Sequence, residues 1–193
     1  HVEELPQGAG GSAWLFAHAD THTPGAALAL LPDSATLAAA PVWADALARE
    51  GIVVLVLPVA DSTAGLPQAR ALLRRLPGVD TTAIGVWAAG RRATALAREL
   101  AAAGHSPAFT ILQNVANERS ALRVLRHQQL PVLGLCGGPH ATEARRLRAA
   151  LGGRNNAVLS FPNAAADLRI PSGFGPHFGP GLPGAVVEWL RQR

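Results

Sequence analysis

Short apolar runs of strand length alternate with segments of helical periodicity along the chain. The runs Ile52–Leu57, Ala83–Ala88 and Val132–Cys136 are apolar or glycine throughout, and apolar residues between them recur every three or four positions, as in Ala69, Leu72, Leu73 and Leu76. Continuous apolar runs are typical of parallel strands that helices cover on both faces. The alternation predicts an α/β fold with a mostly parallel sheet of about seven or eight strands.

The order of elements follows from turn residues and helix ends. The strands Gly11–Ala19 and Ala26–Leu31 are separated by Pro24 and Gly25, so we predict that they form an N-terminal hairpin. Further strands are predicted at 52–57, 83–88, 108–112, 132–136 and 157–161, and helices near 43–50, 66–76, 93–100, 122–125, 144–151 and 184–191. A Gly/Pro-rich loop covers 171–183. A length of 193 residues suits one hydrophobic core, which predicts a single domain over 1–193.

Charge and hydropathy limit the function classes. All 17 basic residues are arginine, the net charge is +4, and arginine pairs recur along the chain, as in Arg74-Arg75 and Arg145-Arg146. We therefore expect solvated helix faces and no nucleic-acid partner. No apolar run is long enough to cross a bilayer, so we expect a soluble chain without a membrane partner. The first residue is His1, which leaves a processed leader and the compartment open.

A sharp turn at Trp87-Ala88-Ala89-Gly90-Arg91-Arg92 joins a predicted strand to a predicted helix. With the preceding order of elements, this turn resembles the α/β-hydrolase fold, particularly its small, lidless dienelactone-hydrolase-like members. The segments that carry the resemblance are Ala27–Ser34, Ile84–Thr94, Pro131–His140 and Phe161–Leu168. The resemblance covers nearly the whole chain and implies helices on both faces of the sheet.

The catalytic positions implied by this resemblance lack the residues of a serine hydrolase. The family's turn is G-x-S-x-G, and here the serine position falls on Gly90, which offers no nucleophile. The position of the triad acid falls on His140, and that of the general base on Ala166. The family's oxyanion His-Gly corresponds to Pro32-Asp33, with Ser34 next to it. Proline has no N–H to donate, and an aspartate would repel a developing oxyanion.

These replacements predict that serine-hydrolase activity is absent. The first hypothesis is a pseudoenzyme that acts as a binding or partner module, with a protein partner, a second copy of the chain or a small anionic ligand. The alternative is an active hydrolase or esterase with non-standard catalytic residues. A conventional esterase is weaker, because no serine sits in a G-x-S-x-G turn; Ser34 is the one to test.

Other residues could build a substitute site at the same end of the sheet. Cys136 and His140 could form a thiolate–imidazole pair, but a buried apolar cysteine and a polar loop histidine are the favoured interpretation, because no third residue that would orient the imidazole can be named. Asp167 and His177 flank the Gly/Pro-rich loop. The candidate ligand pocket comprises Asp33, Gly90, Arg91, Arg92, Cys136, His140 and Asp167.

Two further patterns are candidates for ligand binding. Arg91 and Arg92 open the helix after the turn, where they could attract an anion or simply extend into solvent. His18, Asp20 and His22 alternate along the predicted hairpin and are a weak candidate for a transition-metal site, against a polar hairpin tip. No Gly-rich phosphate loop with a lysine and no paired-cysteine metal motif is present, so no cofactor is expected.

Overall fold

The computed structural model describes residues 1–7, 11–18, 24–58, 66–103, 107–116, 118–139, 141–170, 177–179 and 181–193. The strands are β1 (Val2–Gln7), β2 (Gly11–Phe16), β3 (Gly25–Leu31), β4 (Val53–Val56), β5 (Val79–Ala89), β6 (Thr110–Gln113), β7 (Val132–Gly137), β8 (Ala157–Phe161), β9 (Arg169–Ile170) and β10 (His177–Phe178). The helices are α1 (Ala40–Arg49), α2 (Leu66–Leu73), α3 (Gly90–Ala102), α4 (Arg119–His127), α5 (Ala141–Leu151) and α6 (Gly184–Arg191).

The first eight strands form one sheet in the order β1-β2-β4-β3-β5-β6-β7-β8. The pairs β1–β2 and β2–β4 are antiparallel, and every other neighbouring pair in this sheet is parallel. The predicted mostly parallel sheet is confirmed. Strands β9 and β10 form a separate antiparallel pair.

The predicted hairpin between Gly11–Ala19 and Ala26–Leu31 is wrong. β2 pairs with β1 and β4, and β4 lies between β2 and β3. The reason is that β4 is buried along its whole length, as is typical of a strand inside a sheet. It pairs in parallel with β3, to which it is connected through α1. The hairpin partner of β2 is β1, an edge strand whose two glutamates and one proline concealed it in the sequence.

Helices cover both faces of the sheet because alternate strand residues contribute to two apolar cores. Residues of α2, α3, α4 and α5 pack with one core, and residues of α1 and α6 pack with the other. Within the described ranges, no helix is both long and apolar enough to span a membrane. Because β3, β5, β6 and β7 are parallel neighbours, their carboxyl ends meet at one edge of the sheet. The candidate residues lie at this edge.

Candidate functional site

The predicted turn between strand and helix is present at Gly90. β5 ends at Ala89 and α3 begins at Gly90, whose φ is +53°. This left-handed backbone conformation strains residues with a Cβ and favours glycine. The chain thus keeps the sharp turn at the carboxyl end of a central strand, with a residue that carries no side chain.

The carboxylate of Asp33 occupies the space next to Gly90. A Cβ placed on Gly90 would overlap Oδ2 of Asp33 and would also meet its carboxyl carbon, 2.8 Å away. Asp33 follows the end of β3 and is half-buried. The two positions that resemblance assigned to the nucleophile and to the oxyanion segment are therefore in direct contact.

Thr36 holds the Asp33 carboxylate in this position. The Thr36 N–H and hydroxyl both donate to Oδ1 of Asp33, at 3.0 and 2.9 Å. The Asp33 N–H in turn donates to the Thr36 hydroxyl oxygen at 3.0 Å. This closed set of hydrogen bonds fixes Oδ1, so that Oδ2 is directed toward Gly90.

Arg92 is buried, which neither interpretation of the sequence anticipated. Its side chain is 2% exposed, and Nη1 donates to the carbonyl oxygens of Leu57 at 2.6 Å and Pro32 at 3.2 Å. The guanidinium thus links the segments that follow β3 and β4, rather than extending into solvent. Arg91, beside it, is exposed. The two arginines therefore do not both extend into solvent from the start of α3, because Arg92 is buried and only Arg91 is exposed.

Two side chains that the sequence analysis did not select organise the neighbouring strand ends. Gln113, 3% exposed at the end of β6, accepts from the Trp87 indole N–H at 3.0 Å and donates to the Ala166 carbonyl at 2.7 Å. Asn114 also donates to the Ala166 carbonyl at 2.7 Å, and its Oδ1 accepts from the Gly137 N–H at 2.8 Å. These amides hold the loop after β8 against the ends of β6 and β7. A polar pair directly after an apolar strand was the signal that could have identified them.

Asp167, next to the position that the resemblance assigns to the general base, forms a local ion pair. Its Oδ2 lies 2.7 Å from Nε of Arg169, and the two side chains are 13% and 20% exposed. Its Oδ1 also accepts from the Arg169 N–H at 3.0 Å. His177 is exposed and opposite Ile170 in the β9–β10 pair. The Asp167 carboxylate is therefore engaged in holding its own loop.

Cys136 lines a cavity of about 290 Å³ at the end of β7. The cavity is bounded by Asn114, Val115, Ala116, Cys136, Gly137, Glu143, Leu147 and Ala166. Burial raises the pKa of the Cys136 thiol; Arg148 lowers it in part, and Glu143 raises it further. The thiol is therefore neutral near pH 7, which disfavours it as a nucleophile. His140, its proposed partner, lies outside the described residues.

The weak metal candidate is only partly described. His18 is exposed, and Asp20 and His22 lie outside the described residues. Over the part of the chain that the structure describes, no group of three or more His, Cys, Asp or Glu side chains is arranged to hold a metal ion.

Comparison with known proteins identifies the fold. No protein-family model matches the chain, and no curated sequence matches it. Solved structures do match. A proposed dienelactone hydrolase from Klebsiella pneumoniae superposes with a TM-score of 0.72 at 14% identity, covering 100% of this chain and 99% of that chain.

Two other solved structures also superpose on this chain. The dienelactone hydrolase of Anabaena variabilis gives a TM-score of 0.64 at 15% identity, covering 100% of this chain and 96% of that chain. A thermophilic esterase from the planctomycete Thermogutta terrifontis gives a TM-score of 0.61 at 17% identity, covering 100% of this chain and 91% of that chain. At such identities the likeness establishes the fold alone. The chain has the α/β-hydrolase fold, and the predicted resemblance to its dienelactone-hydrolase-like members is confirmed at that level.

Proposed function

We propose that this chain is a non-catalytic member of the α/β-hydrolase fold that acts by binding another molecule. The observation that carries the proposal is the contact between Asp33 and Gly90. The place from which a nucleophilic side chain would extend holds a carboxylate instead. A serine hydrolase needs both a hydroxyl at this turn and donors for the oxyanion.

The surroundings of the turn support the same proposal. A negatively charged group beside the reacting carbonyl would oppose the oxyanion that forms during acyl transfer. The backbone at the former base position, Ala166, is fixed by Gln113 and Asn114 and offers no imidazole. Each of these features favours a structural role for this end of the sheet over a catalytic one.

Ester turnover tests this proposal. The purified chain is expected to hydrolyse p-nitrophenyl acetate and butyrate no faster than an equal concentration of a heat-unfolded sample. Asp33→Asn and Cys136→Ala variants are the matched controls, since both replace a candidate reactive group with little change in volume. Turnover by the native chain that either variant abolishes would contradict a non-catalytic function.

The fold neighbours favour a second candidate, a hydrolase with non-standard residues, because the proteins named above are themselves described as hydrolases or esterases. In this chain the group best placed for such chemistry is Asp33. Its carboxylate could accept a proton from water as that water attacks an ester carbonyl, giving an acid and an alcohol.

This second candidate makes a different prediction in the same assay. Turnover would fall in Asp33→Asn and would persist in Cys136→Ala. Turnover that instead depended on Cys136 would reject Asp33 as the base.

A further inference from the structure

The positive charge of the chain is concentrated in one part of the fold. Residues 118–154, which include α4, β7 and α5, contain seven of the 17 arginines and two of the 13 acidic residues, a net charge of +5. The whole chain carries +4, so the remainder sums to −1. This excess is visible in the sequence, but that arginines of α4 and α5 face one another depends on the two helices being neighbours.

Four arginines line a cleft between these helices, hereafter the α4–α5 cleft. Arg119 and Arg123 lie on α4, and Arg145 and Arg146 lie on α5; together with Ala149 and Ala150 they surround a depression of about 320 Å³. All four are exposed, and none forms an ion pair with a residue that the structure describes. The nearby Glu118 pairs with Arg98 of α3 instead.

A depression next to the α4–α5 cleft has a partly apolar lining. This adjoining depression of about 220 Å³ shares Arg119, Arg146 and Ala150, and adds Leu122 and Leu147. Its remaining lining residues are Val115, Ala116 and Glu143. The surface therefore combines an arginine rim with aliphatic side chains between the two helices. Such a combination is typical of protein interfaces, in which charged rims surround an apolar centre.

We propose that the α4–α5 cleft binds an acidic segment of a partner protein, with carboxylates facing the four arginines and apolar side chains in the adjoining depression. Arginine suits this role because its planar guanidinium pairs with a carboxylate in two parallel hydrogen bonds. A nucleic acid fits less well. No Phe, Trp or Tyr occurs between positions 110 and 160 to stack on bases, and a phosphate backbone has no apolar group to place on the aliphatic side chains of the adjoining depression.

Fluorescence anisotropy with defined probes tests the proposal. The probe is a fluorescein-labelled peptide of alternating Glu and Leu, compared with the same peptide carrying Gln for Glu, and with a 12-base-pair DNA duplex. The Glu/Leu peptide is expected to bind, more weakly as salt rises, and more tightly than the Gln peptide and the DNA. Absence of binding by the Glu/Leu peptide, or tighter binding of the DNA, would overturn the proposal.

A matched pair of double variants locates the site. Arg145→Glu with Arg146→Glu reverses two adjacent, exposed arginines in the cleft, and Arg74→Glu with Arg75→Glu makes the same charge change just beyond α2. The first is expected to weaken peptide binding by roughly tenfold or more, and the second by no more than about twofold. Equal weakening by both would show a response to net charge and would reject the cleft. Circular dichroism checks folding, and an Arg145→Gln, Arg146→Gln variant repeats the test without charge reversal.

Discussion

The carboxylate of Asp33 and the α-carbon of Gly90 are packed so closely that a Cβ on the glycine would overlap Oδ2 of the aspartate. One residue follows a strand end and the other begins a helix, and 57 positions of sequence separate them. In this fold the same two positions commonly hold an oxyanion segment and a nucleophile. Here they are packed against each other at a turn, and the proposed absence of catalysis depends on that contact.

The contact predicts strong coupling between the two residues. Gly90→Ala is expected to lower the free energy of unfolding by about 3 kcal/mol, from left-handed backbone strain and from the clash with Asp33. Asp33→Ala in the same chain removes the clash and leaves the strain. A double-mutant cycle measured by urea unfolding should therefore give a favourable interaction energy of about 1 to 2 kcal/mol. Additive effects would mean that the Cβ introduced at position 90 does not meet the Asp33 carboxylate.

Arg92 and Arg91 provide a matched comparison on one helix. Arg92→Ala leaves the carbonyls of Leu57 and Pro32 without their buried donor, and we expect a loss of about 2 to 4 kcal/mol in unfolding free energy. Arg91→Ala, at an exposed position, should change it by less than about 0.5 kcal/mol. Thermal and denaturant melting of both variants measures the difference, and equal effects would contradict the burial of Arg92.

Gln113 is expected to be structural. Gln113→Met keeps the approximate volume but leaves the Trp87 indole N–H without its acceptor, at a cost of about 1 to 3 kcal/mol. Gln128→Met, at an exposed position after α4, is the control and should have little effect. Trp87 fluorescence should also shift in the first variant only. Unchanged stability and emission in Gln113→Met would remove the proposed link between β5, β6 and the loop after β8.

Cys136 should determine how stability changes at alkaline pH. The chain contains no lysine and no tyrosine, so the thiol is the side chain that titrates between the histidines and the arginines. Burial raises its pKa above the ordinary value near 9.0 in the folded state, so folding opposes thiolate formation. The contribution of the protonated thiol to the free energy of unfolding is therefore fully present below pH 9. It declines as the pH rises toward the folded-state pKa of the thiol.

The Cys136→Ala variant is the control for that prediction. Its free energy of unfolding should be nearly independent of pH between about 9 and 11, because neither state then has a thiol to ionise. A parallel decline in both proteins would assign the effect to another group.

Local patterns predicted much of this fold. The strand Ala157–Phe161 and the helix Gly184–Arg191 have the predicted bounds, and the turn at Gly90 is where the resemblance placed it. These features depend on periodicity and on glycine, both of which are visible within a few residues. Strand order is different, because it depends on which distant strand lies beside which; the hairpin assigned to β2 and β3 was wrong for that reason.

The site was less predictable because its contacts join residues far apart in sequence. Nothing near Asp33 indicates that it touches Gly90, and an arginine at the start of a helix gives no sign that it is buried. Gln113 and Asn114 were missed because their roles depend on the carbonyl of Ala166, some 50 residues later. The clustering of four arginines likewise required knowledge that α4 and α5 are adjacent.

Labelling of the native chain with a fluorophosphonate probe, followed by intact-mass measurement, tests the central claim most directly. Such probes phosphonylate activated serines with loss of fluoride, and the claim is that the turn at Gly90 offers no such serine. The mass should remain that of the unmodified chain after prolonged incubation, while an active esterase of the same fold is labelled alongside it. Stoichiometric addition of one phosphonate to a serine of this chain, with Ser34 the first to be examined, would contradict the account.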